Sequence, residues 1–319
     1  MPAFITHNEF GSDVLSHVKT LVPSDPESRL AFRWGLQGPD ILFFHRAIRG
    51  NSPLPGYGNR MHRERTAELF TELCRYVMDH RDQADVCILL AYVQGFTCHY
   101  ALDRHTHPYI YYQQEKWKEN LPTKVHRGVH NRIESDIDSL IYLARTGKTV
   151  SHCQPKRVFE VTPSVLMPLG MLYEQILNKL YQVQVPASDV VDAIISGRKL
   201  FSLMVDRTDF ITFNAVKLGE FLIRKPGVFD GSIKRNQPGW DALNLKHAFW
   251  HNLARPAPPT SASFWDLWEN ANQEACERIR EMTRCIIGGV EYLPGEMLSF
   301  DDGAPVPQLD PPILPPQET

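Results

Sequence analysis

Apolar residues recur at i, i+3, i+4 and i+7 through six long stretches of the chain, the period of a helix with one buried face. These are "HRERTAELFTELCRYVMDH" (His62–His80), "ADVCILLAYVQGFTCHYALDR" (Ala84–Arg104), "RGVHNRIESDIDSLIYLAR" (Arg127–Arg145), "PSVLMPLGMLYEQILNKLYQV" (Pro163–Val183), "ASDVVDAIISGRKLFSLMVDR" (Ala187–Arg207) and "SFWDLWENANQEACERIREMTRCII" (Ser263–Ile287). No strand-like alternation competes, so the expected fold is all-α, a multi-helix bundle. Ser188 and Ser263 stand where helices would be capped, and Pro108 and Pro122 where helical runs would stop. Arg46–Asn59 and Arg224–Trp240 read as loops, the second long enough to be a lid or an insertion. Residues 1–293 are expected to form a single helical domain. Residues 294–319, proline-rich and acidic, are expected to be a poorly ordered or surface-draped tail.

Composition narrows the function. With 43% hydrophobic residues, the chain of 319 can bury a sizeable core. A net charge of -3 and a pI near 6.5 give no broad basic field, so no stable nucleic-acid partner is expected and an anionic substrate must be held by a local site. The start, "MPAFITHNEFGSDVL", lacks the basic, apolar and small-residue parts of a secretory signal, which leads to the expectation of a cytoplasmic protein. The longest apolar run, Val86–Phe96, is about half of the roughly 20 residues a membrane span needs and reads as a buried helix. Six scattered cysteines without a CxxC fit reduced, structural thiols.

The candidate chemistry is concentrated in the first part of the chain, where ten of the thirteen histidines lie between His7 and His130. His99, Asp103 and His107 follow an H-x3-D-x3-H spacing, and four residues advance only about 40° around a helix, so the three share one face. His130 and Glu134 repeat the step. Asp40 is the only charge in "GLQGPDILFF", and such a carboxylate needs a partner if buried; His62 is read as opening a helix. Imidazole and carboxylate are ligands of Zn2+ and similar ions, so the joint pattern points to a polynuclear metal site. His45, His105 and His126 lack the spacing. Glu9, Glu64 and Asp136 are candidates to orient ligating histidines through their second ring nitrogen. Phe43, Phe44, Tyr100, Tyr109, Tyr111 and Tyr112 could line a cleft, although core packing is the commoner use of such residues. The chain has no HExxH, HD or ExxH motif and no glycine-rich phosphate loop.

In order and spacing, "THNEFG" (Thr6–Gly11), "GLQGPDILFF" (Gly35–Phe44), "MHRE" (Met61–Glu64), "GFTCHYALDRHTHPYI" (Gly95–Ile110) and "VHNRIESDID" (Val129–Asp138) resemble the zinc-dependent phospholipase C family, particularly its bacterial members without a secretion signal. A weaker echo follows in Leu243–Ala271. The resemblance implies an all-helical fold related to P1-type nucleases and holding two or three Zn2+ ions. Asp40, His62, His99 and Asp103 would bind one ion, His107, His130 and Glu134 a second, and His7 with bridging Asp103 a third. The secreted enzymes add an amino-terminal Trp to the third site, whereas this chain begins Met-Pro. It implies cleavage of a phospholipid or other phosphodiester by a metal-activated water, with Asp40 as the candidate catalytic carboxylate and peripheral membrane contact. A P1-type nuclease or nucleotidase, and a non-catalytic binding protein stabilised by metal, are the alternatives.

Overall fold

The computed structural model describes residues 3–47, 51–208, 211–222, 229–295 and 297–306. Its helices follow the apolar periodicity: α1 (Phe4–Val18), α2 (Pro26–Gly35), α3 (Leu54–Arg63), α4 (Thr66–Asp79), α5 (Val86–Lys118), α6 (Val129–Thr146), α7 (Pro155–Val158), α8 (Pro163–Tyr181), α9 (Ala187–Leu203), α10 (Ile211–Leu222) and α11 (Phe264–Gly288). A 3-10 stretch, Gly38–Phe44, follows α2. Among the described residues β-structure is limited to isolated bridges, and the fold is all-α as expected.

Local chemistry explains the helix ends and corrects several expectations. Asp25 caps α2 by accepting the Ser28 N–H at 2.9 Å, and Ser263 and Asp266 form a reciprocal capping box on α11. Ser188 caps nothing, because α9 already begins at Ala187 behind Pro186. Pro108 does not stop α5. Its ring removes one N–H and leaves the Arg104 carbonyl without its helical donor, but packing on both sides carries the helix to Lys118. His62 lies in the last turn of α3 and does not open a helix: α3 begins at Leu54 behind Pro53, inside the stretch expected to be a loop. Of the second expected loop, residues 223–228 lie outside the described residues, and Asp230–Ser232 form a 3-10 turn.

The core is organised around α5. By length and composition it could cross a membrane, yet 83% of its most apolar window is buried inside the protein. Its most extensive partners are α2 and α11, with α6 and α1 beside them. Two glycines set the α2–α5 crossing. A Cβ on Gly95 would stand 2.1 Å from the Phe32 carbonyl oxygen, and one on Gly35 would stand 2.2 Å from that of Tyr92. Gly38 has φ +49°, and a Cβ there would stand 2.2 Å from the His99 ring. These glycines bring the Asp40 turn onto α5 one turn beyond Gly95, where His99 is.

The start of α1 is tied to α6 by a buried carboxylate. Asp138 accepts the Thr6 N–H and hydroxyl, each at 2.7 Å, and lies 3.5 Å from the Lys234 ammonium. The neighbour of Thr6 is His7. In the segment expected to be a tail, Met297, Ser299 and Phe300 are buried, while residues 307–319 lie outside the described residues.

On helix propensity alone, Gly95→Ala would stabilise the protein by about 1 kcal/mol. Against the Phe32 backbone it should instead cost about 1–3 kcal/mol, read as a lower urea midpoint. A stabilised variant would show that α2 and α5 have room to part.

Candidate metal centre

The structure gathers all eight residues expected at the metal site into one cluster drawn from five segments. His7 comes from α1, Asp40 from the 3-10 stretch, and His62 from α3. His99, Asp103 and His107 lie along one face of α5, and His130 and Glu134 lie on the first turns of α6. Seven are buried, and His130 is the most accessible, its side chain 18% exposed.

Asp103 is the hub. Its Oδ1 lies 3.1 Å from His7 Nε2 and 3.7 Å from His107 Nε2, and its Oδ2 lies 3.1 Å from His99 Nε2 and 3.8 Å from His62 Nε2. Asp40 Oδ1 faces His62 Nε2 at 3.2 Å. Glu134 Oε1 is 3.3 Å from His130 Nε2 and 3.5 Å from His107 Nε2. Three groups have ligand atoms close enough to share an ion: Asp40, His62 and His99; His107, His130 and Glu134; and His7, His99 and Asp103.

Four imidazoles present the nitrogen a cation needs. His62 Nδ1 donates to the Gly58 carbonyl at 2.7 Å, His99 Nδ1 to that of Leu36 at 3.2 Å, His107 Nδ1 to that of Phe300 at 3.1 Å, and His130 Nδ1 to Gln114 Oε1 at 3.1 Å. With Nδ1 so engaged, Nε2 is the atom each ring offers a cation once any second proton has left it, and within each group these atoms converge. His62 and His99 point their Nε2 atoms at each other across 3.5 Å, an arrangement that two rings with their single protons on Nδ1 cannot satisfy by hydrogen bonding and a cation can. The His7 ring stacks on His99 at 4.5 Å, and its buried Nδ1 has no hydrogen-bond partner among the described residues. The donor set fits divalent zinc.

The electrostatics pull two ways: the carboxylates are held ionised, while Asp40 and Asp103 raise the His62 imidazole against its burial. Burial raises the Asp103 carboxyl, but the imidazoles of His107, His99 and His7 outweigh it and hold Asp103 well below the ordinary range. Asp40 is likewise pushed up by burial and down by His62, ending lowered, so it is a carboxylate at neutral pH. Burial pushes His99 down, towards the neutral form that ligates. For His107, burial is overcome by Asp103 and Glu134, and its pKa is pushed up to about 10.

Several expected neighbours lie elsewhere. Glu9 pairs with Asn8, Glu64 with Arg60, and Asp136 with Arg235 and the Trp240 indole; the orienting role falls to carbonyls and Gln114. His45 binds Ser52, His105 binds Glu274, and His126 binds the Leu121 carbonyl. Phe44, Tyr100 and Tyr109 are core, whereas Phe43 stacks on His62 and Tyr111 lies beside His107 and His130. The spacing rules passed over Gln114, although it lies seven residues past His107 on the same helical face, and Phe300 and Asp301, which nothing local marks.

At neutral pH the metal-free site keeps a proton on His107, contributing stability that is present below about pH 6.5 and lost as pH rises through about 10. A cation must displace that proton. Zinc calorimetry at about pH 7 should therefore show heats that depend on the buffer's ionisation enthalpy, with release of about one proton or more per chain and tighter binding as pH rises. Buffer-independent heats together with pH-independent affinity would contradict it.

Residues 6–165, half of the chain, match the family described as zinc dependent phospholipase C. All eight clustered residues lie within that match, whereas Phe300 and Asp301 lie beyond it. Comparison with curated proteins and with solved structures gave no match. The chain thus belongs to the zinc-dependent phospholipase C family, a family of hydrolases whose metal its buried histidine and carboxylate groups are equipped to bind.

Proposed function

We propose that this protein hydrolyses the phosphodiester of a phospholipid, releasing the phosphorylated head group. Asp40, His62, His99 and Asp103 would hold one zinc ion, His107, His130 and Glu134 a second, and His7 with Asp103 a third where three are bound. The observation that carries this reading is the position of Asp103 within 4 Å of imidazoles from all three groups, His7 and His99, His62, and His107, because closely spaced cations are what a phosphodiester's non-bridging oxygens need for charge neutralisation. Zinc, when bound, supplies Lewis acidity towards the phosphoryl group and makes water acidic enough to attack near neutral pH.

The protein's own residues supply position and proton transfer. Asp40, a carboxylate at neutral pH held beside His62, accepts the proton of the attacking water and aims it at phosphorus in line with the leaving alcohol. The carbonyls of Gly58, Leu36 and Phe300 and the amide of Gln114 keep the imidazoles in the ligating tautomer throughout. His130 forms the accessible edge where substrate enters.

Contact with a lipid surface is part of this reading, and α10 supports it. This helix packs beside the first turns of α6 through Phe213, whose ring carries the Arg132 guanidinium at 5.1 Å. Its outer face exposes Ile211 (71%) and Leu218 (60%) beside Lys217, while its one carboxylate, Glu220, is buried.

Elemental analysis with a bis(p-nitrophenyl) phosphate assay tests the reading. Bound zinc and turnover are expected, and Asp40→Asn should slow turnover by about 100-fold or more. Zinc without turnover would favour a metal-stabilised binding protein, and faster cleavage of single-stranded DNA than of phosphatidylcholine a P1-type nuclease. Ile211→Glu with Leu218→Glu should reduce hydrolysis of phosphatidylcholine vesicles about tenfold and spare a short-chain soluble substrate. Equal losses on both substrates would remove α10 from the lipid surface.

A further inference from the structure

We propose that Asp301 is a positioning residue of the metal centre: it ties the helix end carrying His62 to the helix carrying His107 and so sets the distance between the two groups to which they belong. The inference rests on the metal-binding reading above. Asp301 Oδ2 accepts from the Arg63 guanidinium and Oδ1 from the Tyr111 hydroxyl. Arg63 follows His62 in α3, and Tyr111 stands one turn beyond His107 in α5, its ring 5.9 Å from that of His107 and 5.1 Å from that of His130. One carboxylate therefore holds both helices at the positions from which they ligate.

The adjacent backbone makes the same link. The Phe300 N–H and the Ser299 hydroxyl both donate to the His62 carbonyl, at 3.0 and 3.1 Å, and the Phe300 carbonyl accepts the His107 Nδ1 proton. The fully buried Phe300 ring anchors the strap against His62 at 5.4 Å and Tyr100 at 4.7 Å. Two residues beyond Asp301, Gly303 has φ +64°, and a Cβ there would stand 3.2 Å from the Arg104 carbonyl, the one Pro108 deprives of its helical donor. The strap thus sits on the irregular turn of α5 between Asp103 and His107.

Phe300 and Asp301 divide the work. Burial of the Phe300 ring holds the segment in place through the hydrophobic effect. The Arg63–Asp301 pair adds little to stability, because the Arg63 side chain is 62% exposed. What that pair supplies is alignment, and alignment is separable from folding.

The test uses the full chain carrying Asp301→Asn, with Asp301→Glu as a conservative rescue. Zinc affinity is read by competition with a chromophoric chelator, ligand geometry by the visible spectrum of the cobalt-loaded protein, and folding by the urea midpoint of the metal-free protein. Asp301→Asn should weaken the most loosely held ion by about 10–100-fold and alter the cobalt spectrum while barely moving the urea midpoint. Asp301→Glu should recover part of the affinity, and Tyr111→Phe should cost less in the Asp301→Asn background than alone. Unchanged affinity and spectrum in Asp301→Asn would overturn the proposal, and so would a loss of affinity that merely follows lost folding stability. If wild-type protein binds zinc and turns over while Asp301→Asn behaves identically, this inference fails alone; if wild-type protein binds no zinc, the proposed function fails with it.

Discussion

A carboxylate in the middle of a buried helix, facing four imidazoles, is the constraint on which the rest of the molecule depends. Asp103 lies near the centre of α5 with almost no access to water, and burying a charge there is costly unless partners surround it. His7, His62, His99 and His107 are those partners, and they arrive from three helices. For them to arrive, α5 must be the central helix, α2 must cross it at backbone contact, and the start of α1 must be held down. Gly35 and Gly95 meet the second need; Asp138, with Lys234 beside it, meets the third.

Four of the five histidines are held by oxygen atoms on their far sides, three of them backbone carbonyls. A carbonyl inside a helix or a buried strap moves less than a carboxylate at the end of a flexible side chain, so the ring planes inherit the rigidity of the scaffold. Such a cluster is a poor resting place for itself: the Nε2 atoms of His62 and His99 face each other, and three carboxylates are buried among imidazoles in a low-dielectric interior. It is a good place for divalent cations, and membership of a zinc-dependent hydrolase family agrees with that chemistry.

The centre is built in two layers with different origins along the chain. The eight clustered residues all fall within the residues that match the family, whereas the segment gripping His62 and His107 comes from beyond that match. The accessible edge lies at His130, near α10, whose outer face is apolar and carries no exposed carboxylate.

The helices, the four-residue steps of His99, Asp103 and His107, and the step from His130 to Glu134 were legible in the sequence because each is a local periodicity that survives in any tertiary arrangement. The motifs shared with the family also marked His7, Asp40 and His62, which no spacing rule could join to α5. Other features were invisible for a physical reason. That Pro108 leaves α5 intact depends on packing from neighbouring helices, which outweighs one lost hydrogen bond. That Gly35 and Gly95 are required depends on a crossing between helices far apart in sequence. Phe300 and Asp301 sit in a proline-rich stretch with no periodicity, and only the closing of the chain onto α3 and α5 gives them partners. The sequence by itself determined which side chains could bind a metal and on which helical faces they stand; the tertiary structure decided which of them meet and what orients them, because convergence is set by contacts between segments that local pattern does not encode.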